Sequence, residues 1–471
     1  MDRSTIAAIA TPVGSAGIGI IRISGPDALS IGSSIFRRSR SASDPLNAAG
    51  RHMPPPNESH RLVHGHVLDP ESGRVLDEVL LATMAAPHSY TREDVVEINS
   101  HSGLVVLKNI LELVLSKGAR LAEPGEFTKR AFINGRIDLT QAEAVMDVVN
   151  ARSDKALEIA TAHLKGEFRA RVESLRDFLV DLHAQMEAAI DFPEDVGEIF
   201  EPAAVAADLK RKVLKPLEDL VRHYLQAHVL RDGLVLAVAG RPNVGKSSLM
   251  NRLIKKERVI VSAVPGTTRD FVEESVNIQG IPIIVADTAG LHETQDPVEV
   301  IGIQKTREYI GGADLVLFVV DASCDPTKED YFIYDTLNGK NVILVLNKSD
   351  LVAEDTSCKK PVSWNKLPCV SVSALYGHNL EALKNLIVSV CLGDFKLEGR
   401  NTIVPNLRHK LALEQCVAAI QSVIGGLKEN LPAELIAIDL SEAIDRLGEI
   451  TGLSVKKDVL DLIFSRFCIG K

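Results

Sequence analysis

Gly240-Arg-Pro-Asn-Val-Gly-Lys246-Ser247 has the G-x-x-x-x-G-K-[ST] spacing of a phosphate-binding loop. Gly240 and Gly245 let the backbone turn tightly, so that amide N–H groups converge on phosphate oxygens. The Lys246 side chain reaches the β and γ phosphates, and the Ser247 hydroxyl suits Mg²⁺. Asn243, Val244 and Ser248 complete the loop. Further on, Asp287-Thr288-Ala289-Gly290 offers an acid placed to hold Mg²⁺ through water and a glycine N–H for a γ-phosphate. Asn347-Lys348-Ser-Asp350 carries a carboxylate that accepts two hydrogen bonds from guanine, where adenine has no matching donors. Ser373-Ala374 closes the base pocket. Four motifs in this order point to GTP.

Chemistry of this kind needs rigid supports. Leu234–Ala239 is an apolar run that reads as a buried strand, and Ser248 to Ile254 has apolar residues at helical spacing. Ile281 to Ala286, Val342 to Leu346 and Cys369 to Val372 read as further strands, each delivering one motif at its carboxyl end. An α/β domain at about 229–390 follows.

Outside it the pattern changes. Residues 1–134 mix strand and helix signals: Ile18 to Ser24 and Val75 to Leu81 read as strands, Val105 to Leu115 as an amphipathic helix. Arg37 to His60 reads as a surface loop by composition, with Arg37, Arg38 and Arg40 solvated. From Asp138 the chain turns helical. Leu164, Phe168, Val172, Leu175, Leu179, Leu182, Met186 and Ala189 form a seam for packing, stopped at Pro193. A further helix is expected from about Ala203 to Leu230, and helices again from about Leu407 to Phe467. The expected organisation is 1–134, a helical domain in two parts at 135–228 and 391–471, and the nucleotide domain 229–390 inserted between them.

The 471 residues are 45% hydrophobic and 25% charged, with a net charge of −10, which argues against a broad basic nucleic-acid surface. No apolar run approaches the ~20 residues of a membrane span. Thr5 to Thr11 is too short for a secretion signal and lacks a basic start, so a cytoplasmic protein is expected. The six cysteines, at 324, 358, 369, 391, 416 and 468, lack CxxC spacing and read as free thiols. Gly470-Lys471 is a poor ending for a prenylation box at Cys468. His64-Gly-His66 reads as structural rather than as a metal pair.

Segments in every region resemble the MnmE (TrmE) family of tRNA-modification GTPases. They include Gly17-Ile-Gly-Ile-Ile-Arg-Ile-Ser-Gly25, Pro124-Gly-Glu-Phe-Thr-Lys-Arg-Ala-Phe132, Asn134-Gly-Arg-Ile-Asp-Leu139, Ala188-Ala-Ile-Asp-Phe-Pro-Glu194, Pro265-Gly-Thr-Thr-Arg-Asp270 and Phe467-Cys-Ile-Gly-Lys471. The resemblance implies a multidomain fold: an α+β N-terminal folate-binding domain that also dimerises the protein, an all-α helical domain, and an inserted α/β Ras-like P-loop GTPase domain. It implies a homodimer that joins a FAD-dependent partner, MnmG (GidA), in a heterotetramer. Together they would add a carboxymethylaminomethyl-type group to carbon 5 of the wobble uridine of certain tRNAs. The one-carbon unit would come from formyl-tetrahydrofolate or methylene-tetrahydrofolate, with contacts at Arg22, Glu97, Arg136 and Lys471. Relatives often have Lys where Arg136 stands.

For hydrolysis, Leu291 stands where Ras-like proteins orient water with Gln. The family's answer is K⁺, held by Asn243 and by backbone carbonyls around Ser262, Val264 and Thr267, with Ala263, Pro265 and Gly266 in the same switch. Thr268 matches the Mg²⁺-sensing threonine, Glu299 the water-activating glutamate, and Cys468 is a candidate nucleophile. The other class in view is a regulatory or ribosome-assembly GTPase without modification chemistry. Such proteins usually carry an RNA-binding appendage, and this sequence shows no KH-type segment or basic tail.

Overall fold

The computed structural model describes residues 4–14, 16–39, 59–191, 201–255, 275–285, 311–352, 360–392 and 403–471. The chain divides into two compact units, Met1–Met146 with Gly448–Lys471, and Asp147–Leu447.

The first unit is built on a seven-stranded sheet of β1 (Ile6–Ile9), β2 (Gly19–Ser24), β3 (Phe36–Arg38), β4 (Leu62–Leu68), β5 (Val75–Met84), β6 (Val95–Ser100) and β7 (Arg120–Leu121), in the order β3-β4-β5-β6-β2-β1-β7. All neighbours are antiparallel except β1 and β7. Alternation sends Ile21 and Ile23 of β2 and Val96 and Ile98 of β6 into one core with Ala28, Ile31 and Ile35 of the helix Ala28–Ile35 and Leu107, Ile110 and Val114 of the helix Leu104–Ser116. Ile6 and Ala8 of β1 point the other way, toward Phe127. Loop composition misled at Arg37 and Arg38: they extend an edge strand, with Arg37 opposite His66. The part of that segment from 40 to 58 lies outside the described residues. Gly65, between the two histidines, admits no side chain because a Cβ would overlap the Arg37 carbonyl.

The second unit joins helices to a six-stranded sheet of β8 (Leu234–Ala239), β9 (Ser275–Ile278), β10 (Ile281–Val285), β11 (Leu315–Asp321), β12 (Val342–Asn347) and β13 (Cys369–Ser371), in the order β13-β12-β11-β8-β10-β9. Only the β9–β10 pair is antiparallel. Strand order reverses beside β8, and open α/β sheets bind ligands at such a switch point, here the carboxyl ends of β8 and β11. β11 and β12 are buried along their whole length, as parallel strands covered on both faces must be.

The helical seam is real but shorter than its spacing implied. Phe168, Val172, Leu175, Leu179, Leu182 and Met186 are buried in the helix Glu167–Asp191. Leu164 belongs to the preceding helix, Asp154–Leu164, and is exposed. Gly166, at φ +83°, breaks the two apart. The expected helix after Ala203 runs as Pro202–Leu209, a π-turn Lys210–Leu214, and Lys215–Asp232. Pro216 lacks an N–H to continue the α ladder, which accounts for the widened turn before it. The C-terminal helical stretch is three helices, Leu407–Glu429, Ala433–Thr451 and Lys457–Ser465.

Candidate functional site

The loop after β8 is shaped by three residues with positive φ: Gly240 (+153°), Asn243 (+62°) and Gly245 (+93°). A Cβ on Gly240 would overlap the Val319 carbonyl of β11, and one on Gly245 would overlap the Asn347 side-chain amide. The chain then enters the helix Lys246–Lys255. Unpaired amides and the positive end of the helix dipole make this an anion seat. Val244 is fully buried, which pins the loop to the core, while Ser247 stays partly accessible and Ser248 is exposed.

Lys246 Nζ donates to the carbonyls of Gly240 (2.6 Å) and Arg241 (2.8 Å), so its ammonium lies over the loop it would share with a phosphate. Burial holds this ammonium below its ordinary value. An anion between the amides and Lys246 would relieve that strain on the charge, and the donor set therefore fits a polyphosphate. The Ser247 hydroxyl, at the helix start, fits a hard cation bound beside it.

Asn347 ties the loops together. Its Nδ2 donates to the Val244 carbonyl at 2.7 Å, and its Oδ1 accepts from the Ala374 N–H at 3.0 Å. Lys348 follows with a left-handed backbone, and Asp350 sits exposed in the turn Ser349–Leu351. Ser373 is fully buried, its hydroxyl accepting from the Tyr376 N–H. The structure thus brings Asn243, Val244, Gly245, Lys246, Ser247, Asn347, Lys348, Asp350, Ser373 and Ala374 to one end of the sheet. Ser262, Ala263, Val264, Pro265, Gly266, Thr267, Thr268, Asp287, Thr288, Ala289, Gly290 and Glu299 lie outside the described residues.

Motif reading missed two side chains here. Arg252 of the helix Lys246–Lys255 donates to the carbonyls of Ala374 (3.3 Å) and Leu375 (2.5 Å), holding the base-side loop. Asp321, the last residue of β11, accepts from Lys348 Nζ at 2.7 Å. An acid closing a continuous apolar run was the available signal for the second; nothing local marks the first.

A separate cluster lies in the first unit. Arg22 of β2 and Glu97 of β6 are cross-strand partners, with Arg22 Nε on Glu97 Oε1 at 2.7 Å. Arg22 also donates to the Gly470 carbonyl at 3.1 Å. The Arg136 guanidinium lies 4.7 Å over the Tyr90 ring, while Arg22 lies 5.9 Å from Tyr90 and 5.6 Å from Phe127. Tyr90, which no motif singled out, has both guanidinium groups near its ring. The chain end is seated here by backbone: Gly125 N–H reaches the Cys468 carbonyl, and Gly470, at φ +94°, packs so closely on Ile9 that any Cβ would overlap its carbonyl. Burial first, and the like charge of Arg22 in addition, hold the Lys471 ammonium below its ordinary value. Cys468 is exposed beside it. Alternating cations, a carboxylate and aromatic faces fit a flat heterocycle with an anionic tail.

Elsewhere, His64 pairs with Glu78 at 2.6 Å. Among the described residues no group of three or more His, Cys, Asp or Glu side chains comes together to hold a metal ion. No helix there is long and apolar enough to cross a membrane.

Two family models match, the MnmE helical domain over residues 139–468 and the GTP-binding protein TrmE N-terminus over residues 5–136. The chain is 45% identical to the tRNA modification GTPase MnmE of Syntrophus aciditrophicus over 474 aligned residues, covering 100% of both proteins. It is 45% identical to that of Moorella thermoacetica over 476, again covering 100% of each. Among solved structures, the G domain of the T. maritima FeoB iron transporter is 29% identical, covering 33% of this chain and 98% of that one at a TM-score of 0.26.

Proposed function

Since this chain belongs to the MnmE family of tRNA modification GTPases, we propose that it binds and hydrolyses GTP to drive modification of a tRNA uridine. The observation that carries the GTP reading is Asn347, whose one amide joins the phosphate loop at Val244 to the base loop at Ala374. Bound GTP would displace Lys246 from the Gly240 and Arg241 carbonyls onto its phosphates, while Asp350 accepts from guanine. Mg²⁺, when bound, neutralises phosphate charge, with Ser247, Thr268 and Asp287 as the residues to hold it.

The finer reading continues from the same residues. Asn243, with the carbonyls of Ser262, Val264 and Thr267, would hold K⁺ where other GTPases use an arginine, and Glu299 would activate water through a bridging water. The cluster of Arg22, Glu97, Arg136 and Lys471 would take a formyl- or methylene-tetrahydrofolate. Cys468 would act beside the one-carbon unit. The product would be a carboxymethylaminomethyl-type group at carbon 5 of the wobble uridine, made by a homodimer working with FAD-dependent MnmG in the cytoplasm. The domain limits proposed are 1–134, 135–228, 229–390 and 391–471.

The test is mass spectrometry of wobble uridines from a deletion strain carrying this chain. Wild type is expected to restore the modified base, and Arg22→Ala to fail while retaining GTP hydrolysis. Full restoration by Arg22→Ala would remove the folate reading. Turnover in KCl should exceed turnover in NaCl at matched ionic strength and lose that preference in Asn243→Ala; equal rates in the two salts would remove the K⁺ reading.

A further inference from the structure

β11 ends between the two halves of the nucleotide site, with β8 on one side and β12 on the other. Its last residue, Asp321, is only 7% exposed. A buried carboxylate beside a site for an anionic nucleotide has the wrong sign unless it is neutralised. Both oxygens are engaged. Oδ1 accepts from the Ser323 N–H at 2.9 Å and hydroxyl at 2.6 Å, and Oδ2 accepts from Lys348 Nζ at 2.7 Å. Burial alone would push the carboxyl up, but the bonds from Lys348 and Ser323 outweigh it and hold it below the ordinary range. Lys348 has φ +63°, a left-handed conformation that strains a non-glycine residue and therefore needs an anchor. The main chain is fixed as well: Ala322 N–H donates to the Asn347 carbonyl at 2.8 Å.

We infer that Asp321 is a positioning residue for guanine nucleotides, acting through the Lys348 ammonium to hold the loop Asn347–Asp350 in the shape that receives the base. This rests on the reading of that loop as the base loop. Both oxygens of Asp321 are taken by Ser323 and Lys348, so it acts through Lys348 rather than on the nucleotide. Its carboxylate holds the Lys348 side chain in place before the nucleotide arrives, which lowers the ordering cost at binding.

The experiment is stopped-flow release of a fluorescent GDP from the full-length chain and from Asp321→Asn, Lys348→Met and the double variant. Asp321→Asn is expected to release GDP about tenfold faster, as loss of one charge-assisted hydrogen bond implies. Adding it to Lys348→Met should change nothing further, whereas a merely structural role would make the two effects add. In Asp321→Asn, single-turnover hydrolysis of GTP already bound should stay within about twofold of wild type. Asp321→Glu, which keeps the charge, should release GDP within about threefold of wild type. Wild-type release from Asp321→Asn, additive effects, or a Glu variant as fast as Lys348→Met each overturn the role. If Lys348→Met and Asp350→Asn both leave GDP release and guanine preference unchanged, the base-loop reading fails instead.

Discussion

Gly245 carries two constraints at one position. Its φ of +93° suits glycine alone, and a Cβ there would overlap the Asn347 amide that holds both loops. Gly245→Ala is therefore expected to weaken GDP binding by about 2–5 kcal/mol, from backbone strain plus overpacking. Titration calorimetry with GDP checks this, and an unchanged affinity would contradict the loop geometry. Asp350 faces the opposite situation: it is exposed rather than closely packed. Asp350→Asn presents a donor where guanine also donates, at a cost of roughly 1–3 kcal/mol. Competition between GTP and XTP measures it, with preference expected to move toward xanthine.

At the scale of elements, the seat of the chain end is made of close backbone approaches. Gly125, at φ +68°, lies so near the helix Lys457–Ser465 that a Cβ would meet the Phe464 carbonyl at 2.6 Å. Phe464 and Phe467 are buried against Leu139 and Ala142. The last residues are thus held rather than frayed, contrary to the usual behaviour of termini. Removing Cys468 to Lys471 is expected to abolish wobble-uridine modification while sparing GTP turnover, because the nucleotide motifs lie in the other unit. A truncated protein that restores modified tRNA would leave the seat without a function. In the helix Glu167–Asp191, Leu175 is 3% exposed. Leu175→Ala should cost ~2–5 kcal/mol of stability by opening a cavity, read as a lowered urea midpoint.

At the scale of the molecule, pH couples to the second unit through His228 and Asp314. His228 Nε2 lies 3.9 Å from Asp314 Oδ1, linking the helix Lys215–Asp232 to the residue before β11, and Asp314 also accepts from the Val235 N–H at 2.9 Å. The nearby Asp314 carboxylate raises the His228 pKa against the opposing effect of burial. A raised folded pKa gives stability that is full below the unfolded value of about 6.5 and is lost as pH rises through the folded value. Asp314 moves the other way: burial raises its carboxyl, but His228 and Val235 outweigh that and hold it low. Its contribution is present above about 4 and lost on acidification. Wild type should therefore exceed His228→Gln in thermal stability at pH 5.5–6.5 and lose that margin toward pH 9. Partial exposure of the pair limits the margin to under about 1 kcal/mol. A difference independent of pH would exclude the pair as its source.

Much of the nucleotide site was legible because its requirements are local. Gly240, Gly245, Lys246 and Ser247 act through backbone conformation and reach within one strand–loop–helix unit, and each motif sits at the end of an apolar run. The strands β8, β10, β12 and β13 follow for the same reason. The fully buried β11 carried no motif, so Asp321 went unread until the sheet order placed it beside Lys348. The helical seam gave its interior but not its start, since periodicity runs through Gly166 while φ does not. Tyr90 beside two arginines, and Arg22 bonded to Gly470 across 448 residues, had no signature in spacing. Residue types along the chain already mark the positions able to bind phosphate and guanine, because short-range geometry dictates residue type. What holds those residues and where the chain end docks emerge in the folded protein, because such contacts form when distant segments close on a common core.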